Sequence, residues 1–187
     1  MTIDKIMWGL RALWYSILYQ SIKMPSYIGR PLYISQKRKI KFGKKCRVYP
    51  GIRAELGDGT SLVKVGDNVS IGQNFHVVSQ GDILKIGNDV TISGNVLITN
   101  CDHSYEEIGK HILDQKLLVK HTEIGDGSFI GYGAVIQAGT VIGKQCVIGA
   151  NSVVRGEFPD YCVIVGTPAR IVKQYNEEEN EWVKVKK

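Results

Sequence analysis

A six-residue spacing governs the second half of this chain. Ile124, Ile130, Ile136, Ile142, Ile148 and Val154 follow one another at steps of six, in a sequence of which about a fifth is Ile or Val. Chance would give such a run roughly once in 10^4 trials. A glycine follows the aliphatic residue at Gly125, Gly131, Gly143 and Gly149, and the fourth position after it is small or modest at Ser128, Ala134, Thr140, Cys146 and Ser152. The same period runs upstream through Val65, Ile71, Val77 and Ile83 and resumes after a short slip at Ile86, Ile92 and Ile98. Phe42-Gly43 and Val48 mark a weaker start near residue 40.

A period of six is neither the three-and-four spacing of an amphipathic helix nor the alternation of a half-buried strand. An antiparallel sandwich would place turn signals every eight to twelve residues. Short strands joined by tight corners do fit. Three units make one triangular coil, and each aliphatic side chain points into the prism and stacks on its equivalents in the next coils. The glycine beside it is expected to supply backbone angles at the corner that a Cβ would resist. The 21 glycines therefore belong to a pattern and not to a low-complexity tract.

Between Ile98 and Ile124 the period fails, so a segment must leave the prism and return. Loops that interrupt a regular scaffold concentrate function. This one holds Asp102, His103, Ser104, Tyr105, Glu106 and Glu107, then His111, Asp114, Gln115 and His121, and so three of the four histidines. Histidine titrates in the range needed to take a proton from a hydroxyl near neutral pH.

The pieces "ITNCDHSYEE", "HILDQ", "IGDGSFIGYGAVIQAGTVIGKQCVIGANSVVRGEFP" and "VGTPARIVKQY" together resemble the hexapeptide-repeat acyltransferases. Within that family the chain is most similar to the O-antigen and capsular polysaccharide O-acetyltransferases, and similar also to galactoside and maltose acetyltransferases. The resemblance implies an all-β solenoid, a left-handed parallel β-helix. It also implies acetyl-CoA as donor substrate, a homotrimer, and His103 as the catalytic base in the "DH" segment. The acceptor would be a sugar hydroxyl, with His76, Asp102, Tyr105, Glu106 and Asp114 as candidate contacts. Asp102, Glu106, Glu107 or a backbone carbonyl could orient His103. The donor would lie along the later coils, against Phe129, Gly131, Gly133, Ala134, Gly149 and Ala150. Lys144, Arg155, Arg170 and Lys173 would serve the phosphates of coenzyme A. Where relatives often read "VVTKDIP", this chain has Val153 to Pro159 as "VVRGEFP", which leaves Arg155 to replace the usual lysine.

The expected layout is an amphipathic helix and linker over 1–33, a β-helix over 34–170 with the extruded loop at about 99–123, and a C-terminal helix and tail over 171–187. In the first segment apolar residues at 3, 6, 7, 10, 13, 14, 17 and 18 form a helical stripe. With Trp8, Trp14, Tyr15, Tyr19 and the basic run from Lys37 to Arg47, the stripe suits either an anionic membrane surface or packing on the first coil or a neighbouring subunit. The net charge of +6 favours anionic partners. Nucleic acid is not expected, since neither a stacking surface nor a reading helix is evident.

The four cysteines form no C-x-x-C pair, and no secretory signal is evident, so the expected location is the cytoplasm or the inner membrane face. Cys101 could be imagined as an acylated nucleophile, but the commoner role is a small half-buried strand residue. His76, His103, His111 and His121 lie 27, 8 and 10 residues apart and lack the tight pair that zinc-binding β-helical enzymes use, so no metal is expected. An amino-sugar or small-molecule N-acetyltransferase and a non-catalytic β-helical scaffold are the alternatives. The first would often carry a separate nucleotide-binding domain, and the second leaves the loop unexplained.

Overall fold

The computed structural model describes residues 3–185, in which six coils of parallel β-helix follow one N-terminal helix. Face one stacks Tyr27–Ile28, Arg47–Val48, Ser70–Ile71, Thr91–Ile92, Phe129–Ile130, Val147–Ile148 and Cys162–Gly166. Face two stacks Tyr33–Ile34, Arg53–Leu56, His76–Ser79, Leu97–Thr99, Val135–Ile136 and Val153–Val154. Face three stacks Ile40–Phe42, Leu62–Val65, Ile83–Ile86, Glu123–Ile124, Val141–Ile142 and Glu157–Phe158. All neighbouring coils pair in parallel and in register, so Ile98 lies between Val77 and Ile136, and Ile130 between Ile92 and Ile148. The left-handed β-helix expected from the sequence is the fold observed.

The six-residue column is the core. Ile124, Ile130, Ile136, Ile142, Ile148 and Val154 are all buried, as are the small residues Ser128, Ala134, Thr140, Cys146 and Ser152. Polar members of that second column are satisfied by the adjacent coil. Ser128 Oγ donates to the Gly143 carbonyl at 3.0 Å and accepts from the Cys146 amide at 3.1 Å, which removes the penalty of burying a hydroxyl.

Three expectations need correction. The glycines after the aliphatic residues are not the corner residues with positive φ; those include Asn68, Asn74, Asp89, Asn95, Gly127, Gly133, Gln145 and Asn151. The aliphatic-adjacent glycines are required by close approach between coils: a Cβ on Gly125 would fall 2.5 Å from the Gly143 carbonyl carbon. Ile83 does not belong to the inward column either. It is 42% exposed, while Leu84 and Ile86 point inward, because the chain between Val77 and Ile86 takes a longer corner.

The C-terminal helix is also absent. Ala169–Asn176 is a strand that turns back antiparallel onto Cys162–Gly166, and Glu181–Lys184 pairs with it in turn. The last strand of face one offers unpaired backbone groups, and the β-branched Ile171 and Val172 fill that edge more readily than they form an isolated helix. The end of the charged tail, at 186–187, lies outside the described residues, as does the start of the first segment, at 1–2.

The helix α1 spans Ile3–Tyr19 and packs on the first coil through Trp8, Ala12, Tyr15 and Tyr19. Trp8 meets the rings of Tyr27 and Tyr49 at 5.9 and 5.7 Å. Arg11 Nη1 donates to the Ile28 carbonyl at 3.0 Å.

Candidate active site

The chain leaves the prism at Asn100, in the fourth coil, at the edge between faces two and three. Asn100 is fully buried, accepts the Gln80 amide at 2.8 Å and donates to the Gln80 carbonyl at 3.0 Å. Its own carbonyl accepts from the Lys120 amide at 2.8 Å, so one residue closes both ends of the excursion. Beyond it Cys101–His103 pairs antiparallel with Leu117–Val119, with His103 opposite Leu117. Glu107, Lys110 and the buried Gln115 tie the tip: the Gln115 side chain donates to the Glu107 and Lys110 carbonyls and accepts the Glu107 amide. Sequence reasoning passed over Asn100, although an asparagine where the period breaks was the available signal.

His103 is exposed at the end of its strand and lines a pocket of about 360 Å³ with Asp102, Ser104, Tyr105, Glu106, Leu118, Lys120 and Arg155. Its ring has no hydrogen-bond partner among the described residues. Three of the five expected acceptor-side residues therefore converge with it: Asp102, Tyr105 and Glu106. Lys120 and Leu118 were not foreseen. Arg155 belongs here as well, since the corner after Val153–Val154 is the same prism edge that carries the hairpin two coils earlier.

The remaining candidates are elsewhere. Asp114 is exposed on the short 3-10 turn Ile112–Asp114 at the hairpin tip. His111 caps that turn, its Nδ1 accepting the Leu113 amide at 3.2 Å. His121 is 57% exposed, between Asp82 at 3.7 Å and Glu123 at 3.3 Å. His76 sits on the outer surface of face two, where its Nε2 lies 3.0 Å from Glu55 Oε1 and Arg53 Nε lies 2.6 Å from the same oxygen. The hydrogen bond from Arg53, ahead of that from His76, holds the Glu55 carboxyl below its ordinary range against the opposing pull of partial burial. A larger cavity of about 680 Å³ opens beside Arg53 and Glu55, bounded by Leu32, Tyr33 and Gln80.

The expected donor wall divides among the prism edges. Phe129, Gly131, Gly133, Gly149 and Ala150 run along face one and the edge between faces one and two. Arg170 and Lys173 continue that region, because their strand pairs Arg170 with Val165 and Lys173 with Val163, and Val165 lies against Gly149. Ala134 points its methyl into the core and can offer only backbone. Lys144 stands on the opposite edge, between faces three and one, with its amide bonded to Asp160 at 2.7 Å.

Burial pushes the thiols upward, Cys46 and Cys162 to about 11, and raises Cys101 and Cys146 also. Cys101 is therefore poorly suited to act as a thiolate nucleophile. Among the described residues no three His, Cys, Asp or Glu side chains gather as a metal site.

Comparison with known proteins fits this architecture. Residues 121–156 match the bacterial transferase hexapeptide family, six repeats. Over 161 residues the chain is 33% identical to WbbJ of Escherichia coli K12, an inferred lipopolysaccharide-biosynthesis O-acetyl transferase, covering 82% of this chain and 81% of that protein. It is 31% identical to serine acetyltransferase of Staphylococcus epidermidis, over 89% of this chain and 66% of that protein. The fold superposes on AntD, an N-acyltransferase of Bacillus cereus solved with dTDP and coenzyme A, at a TM-score of 0.75 with 16% identity, over 89% of this chain and 90% of that one. The repeat, the stacked coils and the extended relationship to WbbJ place this protein in the hexapeptide-repeat acyltransferase family.

Proposed function

We propose that the protein is an acetyl-CoA-dependent O-acetyltransferase whose acceptor is a sugar hydroxyl of a surface polysaccharide, with His103 as general base. The observation that carries this reading is the unpartnered imidazole of His103, presented by the hairpin into a pocket lined by Asp102, Tyr105 and Glu106. Its hydrogen-bonding capacity is unspent among the described residues, so a hydroxyl can use it. The identity with WbbJ across most of both chains favours a glycan acceptor.

In the proposed step a ring nitrogen of His103 takes the acceptor proton as the hydroxyl oxygen bonds to the thioester carbonyl carbon. The tetrahedral intermediate collapses with cleavage of the carbon–sulfur bond. The departing sulfur takes the proton back from the imidazolium, leaving the acetyl ester and free coenzyme A. Arg155 and Lys120 bring cations to the same pocket, where negative charge develops on the carbonyl oxygen.

A homotrimer is part of this proposal. His103 occupies the edge between faces two and three, whereas the small-residue wall with Arg170 and Lys173 occupies the edge between faces one and two. Face two separates them on one chain, and assembly of copies edge to edge would bring the two half-sites together. The outward Phe129 and Val147, stacked in register and 43% and 37% exposed, supply apolar surface for such contacts. Sedimentation of the purified chain should show three copies. Mixed assemblies of His103→Ala chains with Arg170→Glu chains should regain activity that neither parent has.

The similarity to serine acetyltransferase supports a second reading, acetylation of a small hydroxyl compound. Mass spectrometry of the surface glycan with and without the gene decides between them. Loss of one acetyl mass per repeat unit is the expected result, and an unchanged glycan with serine acetylation by the purified protein would reverse the order.

A further inference from the structure

We propose that the outer face of α1 seats the protein on the surface of an anionic lipid bilayer. The helix has two apolar faces. Trp8, Ala12, Tyr15 and Tyr19 hold it on the first coil, while the stripe first seen in the sequence points the other way: Ile3, Leu10, Trp14 and Ile17 are 80%, 56%, 55% and 68% exposed, and Ile6, Met7, Leu13 and Leu18 lie beside them, each more than 40% exposed. Eight large apolar side chains on one surface of a 17-residue helix exceed the scattered exposure of an ordinary protein surface. Arg11, which could have interrupted the stripe, is turned inward onto the Ile28 carbonyl.

Charge identifies the occupant. Residues 1–54 contain twelve Lys or Arg against Asp4 alone, a net of +11, which leaves −5 for residues 55–187 out of the total of +6. No acid occurs between Asp4 and Glu55. Several of these cations border the helix. Lys41 Nζ donates to the Gln20 carbonyl at 3.0 Å, Lys37 lies 5.6 Å from the Tyr19 ring centre, and Lys23 is exposed just beyond the helix. An apolar stripe with tryptophan, bordered by lysines and with Asp4 as the one acid of its helix, matches the acyl–headgroup boundary of an anionic leaflet. No helix among the described residues is long and apolar enough to cross a membrane, so α1 would lie in the plane of the surface.

The test uses the full chain with phosphatidylcholine vesicles with and without phosphatidylglycerol. The protein should sediment with the phosphatidylglycerol vesicles, with a blue shift of tryptophan emission, and bind the neutral ones far more weakly. The double variant Leu10→Glu/Ile17→Glu should lose at least about tenfold in partitioning. Lys37→Gln and Lys41→Gln should each lose about fivefold. All three variants should keep the wild-type melting temperature and assembly mass. Absence of vesicle binding, or equal binding to neutral vesicles, overturns the proposal. So does a fall in assembly mass for Leu10→Glu/Ile17→Glu in vesicle-free buffer, which would make the stripe a contact between copies of this chain.

Discussion

The extruded hairpin and the outer surface of face two each carry a histidine, and the two side chains are held in opposite ways. His76 is fixed by Glu55, which Arg53 in turn keeps ionised, and Arg53 and His76 are register partners in one ladder. His103 is presented by a two-stranded hairpin with its ring unbonded and a pocket around it. The difference separates a histidine tied into the fold from one that, under the proposed function, is left free for a substrate. Regular ladder geometry brings matched charges together by itself, whereas the exposed imidazole at the end of the hairpin strand has no hydrogen-bond partner among the described residues.

The largest expected effect tests that distinction directly. His103→Ala should lower turnover by roughly 10^2 to 10^4 while the melting temperature stays near wild type, because the residue lies outside both inward columns. Turnover with the true acceptor and a thermal melt check it. If His76→Ala costs as much as His103→Ala, the roles are reversed and the Glu55-oriented imidazole is the base.

Asn100→Ala sharpens the comparison by acting on the anchor and not on the pocket. It leaves the Gln80 amide and carbonyl without their partners, which should cost about 1 to 3 kcal/mol in a denaturant melt. Turnover should fall with it because the hairpin that carries His103 loses its footing. Retention of both stability and activity would show that the hairpin is placed by other contacts.

Face two should announce itself through pH. Glu55 has a native pKa below its ordinary value of 4.5, so its contribution to stability is fully present above that value and is lost as pH falls through the lowered native one. Glu55→Gln should therefore flatten the acid limb of the stability curve below about pH 4.5. The effect should be small, since the side chain is 36% exposed and the pair is screened by solvent. An unchanged acid limb would mean that the Arg53 contact does not persist in solution.

The smallest effect belongs to His111→Ala, which removes the acceptor of the Leu113 amide from one exposed turn. It should cost less than about 1 kcal/mol and leave turnover within a few-fold of wild type. A loss comparable to that of His103→Ala would make the hairpin tip part of the acceptor site.

The six-residue column by itself pointed to short strands stacked in coils, because neither a helix nor an alternating strand buries an aliphatic side chain at every sixth residue, and the family resemblance supplied the left hand of the prism. The break in that column likewise marked where the hairpin leaves the prism, and the resemblance of its "DH" segment is what proposes His103 as the base. What sequence reading could not reach depends on which edges meet. Lys144, Arg155 and Gly149 lie close in sequence yet stand on three different prism edges, since each corner turns the chain away from the last. The same limit explains the C-terminal strand, where Ile171, Val172 and Tyr175 fit a helix by spacing until the open edge of face one is present to pair with them. It also explains α1, whose apolar stripe was legible in the sequence while its outward direction was not. Periodicity is a local property and survives in the sequence. The choice of partner for an edge or a helix face is settled only when distant segments compete for it.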